Sequence, residues 1–163
     1  MATTVFTGAD GTISVAVEAG PAGDAAKTVA EKYSLTPIGR ATGITVRVTN
    51  DTKAFHELGQ RFATELRPGN INVTGSIQRA HINGALLRLM LGAAGDSRPQ
   101  GAFVAPSFNL SLHTANPNVP DASATVTVMG VQVNEWNYTM PEDDYVMENL
   151  SFQALWVKTE EQG

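Results

Sequence analysis

The sequence predicts a mainly β protein: two packed antiparallel sheets forming a sandwich or barrel, with one flanking α-helix and a long loop. Three observations predict it. Six segments alternate apolar or β-branched residues with polar ones. Turn residues (Gly, Pro, Asn, Asp) stand between them. Only one stretch, residues 85–91, has enough leucine at helical spacing to cover a sheet.

Taken in order, Thr12 to Glu18 (TISVAVE) follows an Asp10-Gly11 turn and reads as a first strand. Ala19 to Gly43 is rich in Ala and Gly. Asp24 can cap a short helix there, with Ala26, Val29, Ala30 and Tyr33 on one face, but such a helix is marginal alone. The segment is therefore expected to be a long loop reaching towards a partner. Gly43 to Asn50 is a second strand, and Lys53 to Leu58 gives one helical turn before an extended piece ends at Pro68-Gly69. Ile71 to Ile82 is a long strand, with Ile71, Val73 and Ile77 opposite Asn72, Thr74, Ser76 and Gln78. After Asn83-Gly84 come Leu86, Leu87, Leu89, Met90 and Leu91, which nearly surround a short helix capped by Gly92. Such a helix needs cover on more than one side. Strands follow at Phe108 to Thr114, Ala124 to Met140 and Tyr145 to Lys158, the second of them bent or bulged at Met129-Gly130.

Composition narrows the function. The 163 residues are 42% hydrophobic and 17% charged, as suits one domain over 1–163. It would carry an extended N-terminal arm (1–11), the loop (19–43) and an acidic C-terminal segment (142–163). A net charge of -5 argues against a broad hold on nucleic acid phosphates. Between Lys27 and Arg98 stand ten basic and five acidic residues, whereas outside that stretch Lys158 faces eleven acids. Opposed charge blocks suit either contact between copies of one chain or a solvated acidic tail. No residue is cysteine, so neither disulfides nor thiolate chemistry arise. No signal-peptide pattern opens the chain and no apolar run reaches membrane-spanning length.

Motifs for chemistry are missing. There is no G-x-S-x-G, phosphate loop or dinucleotide fingerprint, and no serine stands beside a plausible base, so neither enzymatic activity nor a cofactor is expected. His56, His81 and His113 lack ligand spacing, and Glu142-Asp143-Asp144 reads as a solvated turn. Five Asn-x-Ser/Thr sequons look like solvated strand faces, because residues i and i+2 of a strand share a face.

The stretch ELRPGNINVTGSIQRAHINGALLRLMLG (Glu65 to Gly92) resembles the tail tube proteins of tailed phages and related injection machines. TGADGTISVA (Thr7 to Ala16) is similar to the N-terminal strand of that family. The resemblance implies a tail-tube fold whose copies join sheets edge to edge in hexameric rings. The rings stack into a hollow tube through which DNA, or a protein effector in an injection device, passes without sequence-specific binding. It implies a virion-tail protein assembled in the host cytoplasm, with tape-measure, baseplate and terminator proteins, and a sheath if the tail is contractile, as partners beside the chain itself. Thr7, Gly8, Asp10, Arg67, Pro68, Gly69, Asn83, Leu86, Leu87, Leu89 and Met90 are the expected interface residues. Asp24, Lys27, Glu31, Lys32 and Tyr33 are expected to reach the adjacent ring. An acidic lumen would repel DNA. The alternatives are a β-barrel carrier of a small apolar ligand and an Ig-like adhesion module.

Overall fold

The computed structural model describes residues 5–33 and 38–162. The first residues of the expected arm, part of the 19–43 segment and Gly163 lie outside them. A 3₁₀ turn, Gly8–Asp10, leads into β1 (Gly11–Ala16), then α1 (Pro21–Tyr33) and β2 (Ala41–Asn50). A short ribbon follows, β3 (Lys53–Phe55) with β4 (Glu65–Arg67), then β5 (Ile71–Ala80), α2 (Ala85–Leu91) and β6 (Phe108–Asn116). The chain closes with β7 (Val119–Thr139), β8 (Met147–Ala154) and β9 (Trp156–Gln162).

β7 belongs to both sheets. Its first half lies between β6 and β9, with β1 beyond β6; its second half pairs with β8, which continues to β5 and β2. All these pairings are antiparallel. The strand changes sheet where the sequence places a bend: pairing with β6 jumps from Leu110↔Val128 to Phe108↔Val131. Gly130 takes φ 68° there, a left-handed conformation that favours glycine, and its N–H donates to Asn109 Oδ1 at 3.0 Å. The chain turns from β8 to β9 beside this point, with Leu155 N–H donating to the Met129 carbonyl at 2.9 Å.

Between the sheets lie Phe108, Leu110, Val128 and Val131 from one and Val73, Ile77, Leu150 and Phe152 from the other, all buried. Gly75 stands opposite Phe152 in the β5–β8 register. A Cβ at Gly75 would meet the Phe152 ring and the Thr45 carbonyl, so glycine leaves the space that this ring fills. α2 closes the core with Ala85, Leu86 and Leu89.

Three expectations are corrected. Tyr145 to Lys158 is not one strand: β8 ends at Ala154 and β9 begins at Trp156 in the other sheet. Residues 21–33 are a helix, not a loop, which makes two flanking helices where the sequence predicts one. Pro21 sits at the first helical position, which suits its fixed φ. Gly23, Ala26 and Val29 form a buried face of small side chains, so packing supplies what propensity alone does not. Lys53 to Leu58 is not a helical turn: Lys53, Ala54 and Phe55 pair with Arg67, Leu66 and Glu65 instead.

Candidate assembly surfaces

The sheet β2-β5-β8-β7 has one face in the core and one in the open. Register places Thr45, Arg47 and Thr49 of β2 beside Ser76, Thr74 and Asn72 of β5. Gln153, Ser151 and Asn149 of β8 come next, then Gln132, Glu135 and Asn137 of the second half of β7. Side chains alternate across a strand, so these residues share the face away from the core. It is a surface of amides and hydroxyls with one arginine and one glutamate.

Both outer strands of this sheet are unpaired on one side among the described residues. Four alternating strands make β2 and the second half of β7 antiparallel to each other. The edge of one copy can therefore receive the opposite edge of another and continue an antiparallel ladder.

The ends of the sheet differ. Beyond Asn50 and Ile71 the β3–β4 ribbon projects as an arm. Gly69 N–H donates to Asn50 Oδ1 at 3.0 Å, and Asp51 N–H to the Asn70 carbonyl at 3.0 Å, which fixes the root of the arm. Phe55, Leu58, Phe62 and Leu66 on it are 56%, 105%, 87% and 66% exposed. Such apolar surface is unusual on a chain that works alone. At the other end the β7–β8 turn carries exposed Met140 and Tyr145 around Glu142, Asp143 and Asp144.

That second end is anchored by a buried polar network. Arg79 and Glu148 are 1% and 2% exposed. Arg79 Nε donates to Glu148 Oε1 at 2.5 Å, and Arg79 Nη2 donates to Asn83 Oδ1 at 2.8 Å. Trp136 Nε1 donates to Glu148 Oε2 at 3.0 Å, with His81 Nδ1 at 3.1 Å from the same oxygen. Asn83 Oδ1 also accepts the Ala85 N–H, tying the network to the first turn of α2. Tyr138 lies over it, stacked on Trp136 and edge-on to His81.

The residues that the sequence singles out fall in separate places. Thr7, Gly8 and Asp10 are exposed at the 3₁₀ turn, where Thr7 Oγ1 donates to Asp10 Oδ2. Arg67, Pro68 and Gly69 are in the arm and its root, with Arg67 paired to Glu65 at 2.8 Å. Leu86 and Leu89 are buried in the chain's own core; Leu87 and Met90 are half-buried. Asp24, Lys27, Glu31 and Lys32 line the exposed side of α1, while Tyr33 is half-buried with the Lys32 ammonium 5.6 Å from its ring centre. Arg88 and Asp96 form an ion pair at the end of α2, which holds the Asp96 carboxyl below its ordinary value. The free edges, the arm's apolar tip and the buried network escape sequence reasoning. Phe55, Leu58, Phe62 and Leu66 spaced through a polar stretch are the signal that could have revealed the arm.

No protein-family model matches the chain, and no curated protein matches it. Solved structures do. A chain of the anti-feeding prophage tube-terminating cap aligns with a TM-score of 0.65 at 6% identity, covering 98% of this chain and 93% of that one. A chain of the PVC extracellular contractile injection system, in its extended sheath-tube complex, aligns at 0.59 and 12% identity over 92% and 87%. The SPP1 tail tube aligns at 0.56 and 12% identity over 98% and 80%. A shared fold over nearly the whole length, with no sequence match to match it, identifies the architecture of this chain as the tail-tube fold.

Proposed function

We propose that this chain is the structural subunit of a hollow tube in a phage tail or an injection device, and is not an enzyme. The observation that carries this reading is the sheet β2-β5-β8-β7, covered on one face, polar on the other, and open at two antiparallel edges. Six copies joined edge to edge close a barrel and remove the free edges. The polar face then lines the channel. With Arg47 and Glu135 as its charges, that channel is neutral rather than acidic, so DNA or protein cargo meets amides and hydroxyls instead of electrostatic repulsion. The likeness to chains of sheath-tube, baseplate and cap structures supports the same reading.

Ring stacking falls to the arm, with the opposite end of the next copy as its seat. The arm carries Lys53, Arg61 and Arg67 beside Glu57 and Glu65, with Arg67 paired to Glu65, while Glu142, Asp143 and Asp144 stand at the far end of the same sheet. A head-to-tail contact of this kind does not close on itself, so it builds a filament. The exposed side of α1 and the turn at Thr7, Gly8 and Asp10 add contacts between rings. Beyond copies of the chain itself, tape-measure, baseplate and terminator proteins are its partners, with a sheath where the tail is contractile.

Negative-stain electron microscopy of the purified chain over a range of concentrations tests the proposal. Rings or tubes of uniform bore are expected. Small particles of one size at every concentration would overturn it and favour the carrier reading, although the space between the sheets is filled by Phe108, Leu110, Leu150 and Phe152.

A further inference from the structure

The four strands β2, β5, β8 and the second half of β7 carry four charged side chains. Arg79 and Glu148 point into the core and neutralise each other. The remaining two, Arg47 and Glu135, are opposite in sign, lie on the polar face, and occupy the two edge strands. Among the described residues Arg47 has no carboxylate in salt-bridge range, and Glu135 accepts a hydrogen bond from Asn137 on its own strand at 3.0 Å. Three strand spacings, about 14 Å, separate the two edges within one copy. The two charges cannot meet there.

We propose that Arg47 of one copy pairs with Glu135 of the next across the seam where β2 meets β7, and that this pair fixes the register of ring closure. The inference rests on the ring reading above. Arg47 shares a row with Thr74, Gln153 and Gln132, whereas Glu135 shares a row with Ser151, Ser76 and Thr45. The two rows are neighbours. A seam with no stagger makes Arg47 and Glu135 diagonal neighbours, within reach of long side chains, and a two-residue stagger of the kind a closed barrel requires sets them directly opposite.

The pair does what the rest of the face cannot. Strands whose open face is threonine, serine, asparagine and glutamine specify register weakly, because a slip by two residues exchanges one polar row for another much like it. A slip at this seam would instead leave an arginine facing amides and a glutamate facing hydroxyls. Charges on an edge also discourage pairing with a like edge: β2 against β2 would bring arginine towards arginine, and β7 against β7 glutamate towards glutamate. Only β2 against β7 satisfies both, and that contact is head-to-tail and closes a ring.

The test is a charge swap. Arg47→Glu, Glu135→Arg and the double variant are compared with the native chain by sedimentation velocity at low and high salt, with circular dichroism confirming that each is folded. Both positions are exposed, so folding should survive. Each single reversal is expected to raise the concentration for half-assembly about tenfold, and the double variant to return it close to the native value. Glu135→Gln should give a smaller rise and a weaker dependence on salt. If native rings form and both single reversals assemble as the native chain does, or if the double variant is as impaired as the two singles combined, the pair is overturned while the ring stands. If the native chain forms no rings at all, the ring reading falls and the seam with it.

Discussion

Glu148 is the residue whose loss the fold should feel most. Replacing it with leucine removes the carboxylate that accepts from Arg79 Nε at 2.5 Å and from Trp136 Nε1 at 3.0 Å, and leaves the Arg79 guanidinium in a site 1% exposed. Stranding one member of a buried ion pair costs about 3–5 kcal/mol. Against a total stability of about 5–15 kcal/mol this is a large share. At roughly 2–4 °C per kcal/mol for a chain of this size, the midpoint of thermal unfolding should fall by about 6–20 °C. Circular dichroism melts at a concentration low enough to prevent assembly would measure it. Pairing Glu148→Leu with Arg79→Met should recover most of the loss, since apolar replacement of a whole buried pair is often neutral. A fall of less than about 3 °C for Glu148→Leu alone would mean that the network is solvated or rearranges, and would refute the reasoning.

The arm, α2 and the Arg88–Asp96 pair give the other predictions. Leu58→Ser with Phe62→Ser should leave rings intact but shorten tubes sharply in electron micrographs, because each large side chain buried between rings contributes about 1.5–3 kcal/mol. Tubes of native length would remove the arm from the stacking contact. Leu89→Asp should fail to fold, its side chain being 1% exposed in the core, whereas Leu87→Asp, half-buried, should stay folded by circular dichroism and lose assembly if that side of α2 meets a neighbour. Asp96 has a carboxyl pKa lowered from 3.8, chiefly by its hydrogen bond with Arg88. Its contribution is thus present above the unfolded value and lost as pH falls through the lower folded one. Native and Asp96→Asn stabilities, measured by urea unfolding, should differ by a constant amount from neutrality to about pH 4 and converge below it.

What was legible in the sequence followed from periodicity. Ile71 to Ala80 reads as a strand because its two faces differ, and the bend at Met129-Gly130 reads as one because alternation breaks at a glycine. Ala85–Leu91 reads as a helix because leucine at helical spacing leaves little choice. Pro21–Tyr33 reads only as a marginal helix within a loop for the opposite reason: Gly23, Ala26 and Val29 form a weak apolar stripe that becomes a helix only when another surface covers it. The β3–β4 ribbon is invisible to pattern because three-residue strands carry almost no period. Arg79 and Glu148 lie 69 positions apart, so no local pattern could announce that they meet.

The same separation explains why the assembly surface was harder to read than the fold. Leu86 and Leu89 look like interface residues when a short helix is apolar nearly all round, yet the chain's own sheet takes them. The residues proposed to meet a neighbour are the ones that pattern analysis discounts: Arg47 and Glu135 among polar strand positions, and Leu58 and Phe62 in what reads as connecting chain. A subunit that must stay soluble before it assembles has reason to be built this way. Its core is kept inside the copy, its sheet edges show hydroxyls, amides and one charge each, and Phe55, Leu58, Phe62 and Leu66 stand together on an arm that a stacked ring would cover. In the proposed tube the chemistry implies an order: lateral closure, steered by charge, would create the seat that the apolar arm needs, and stacking would come second.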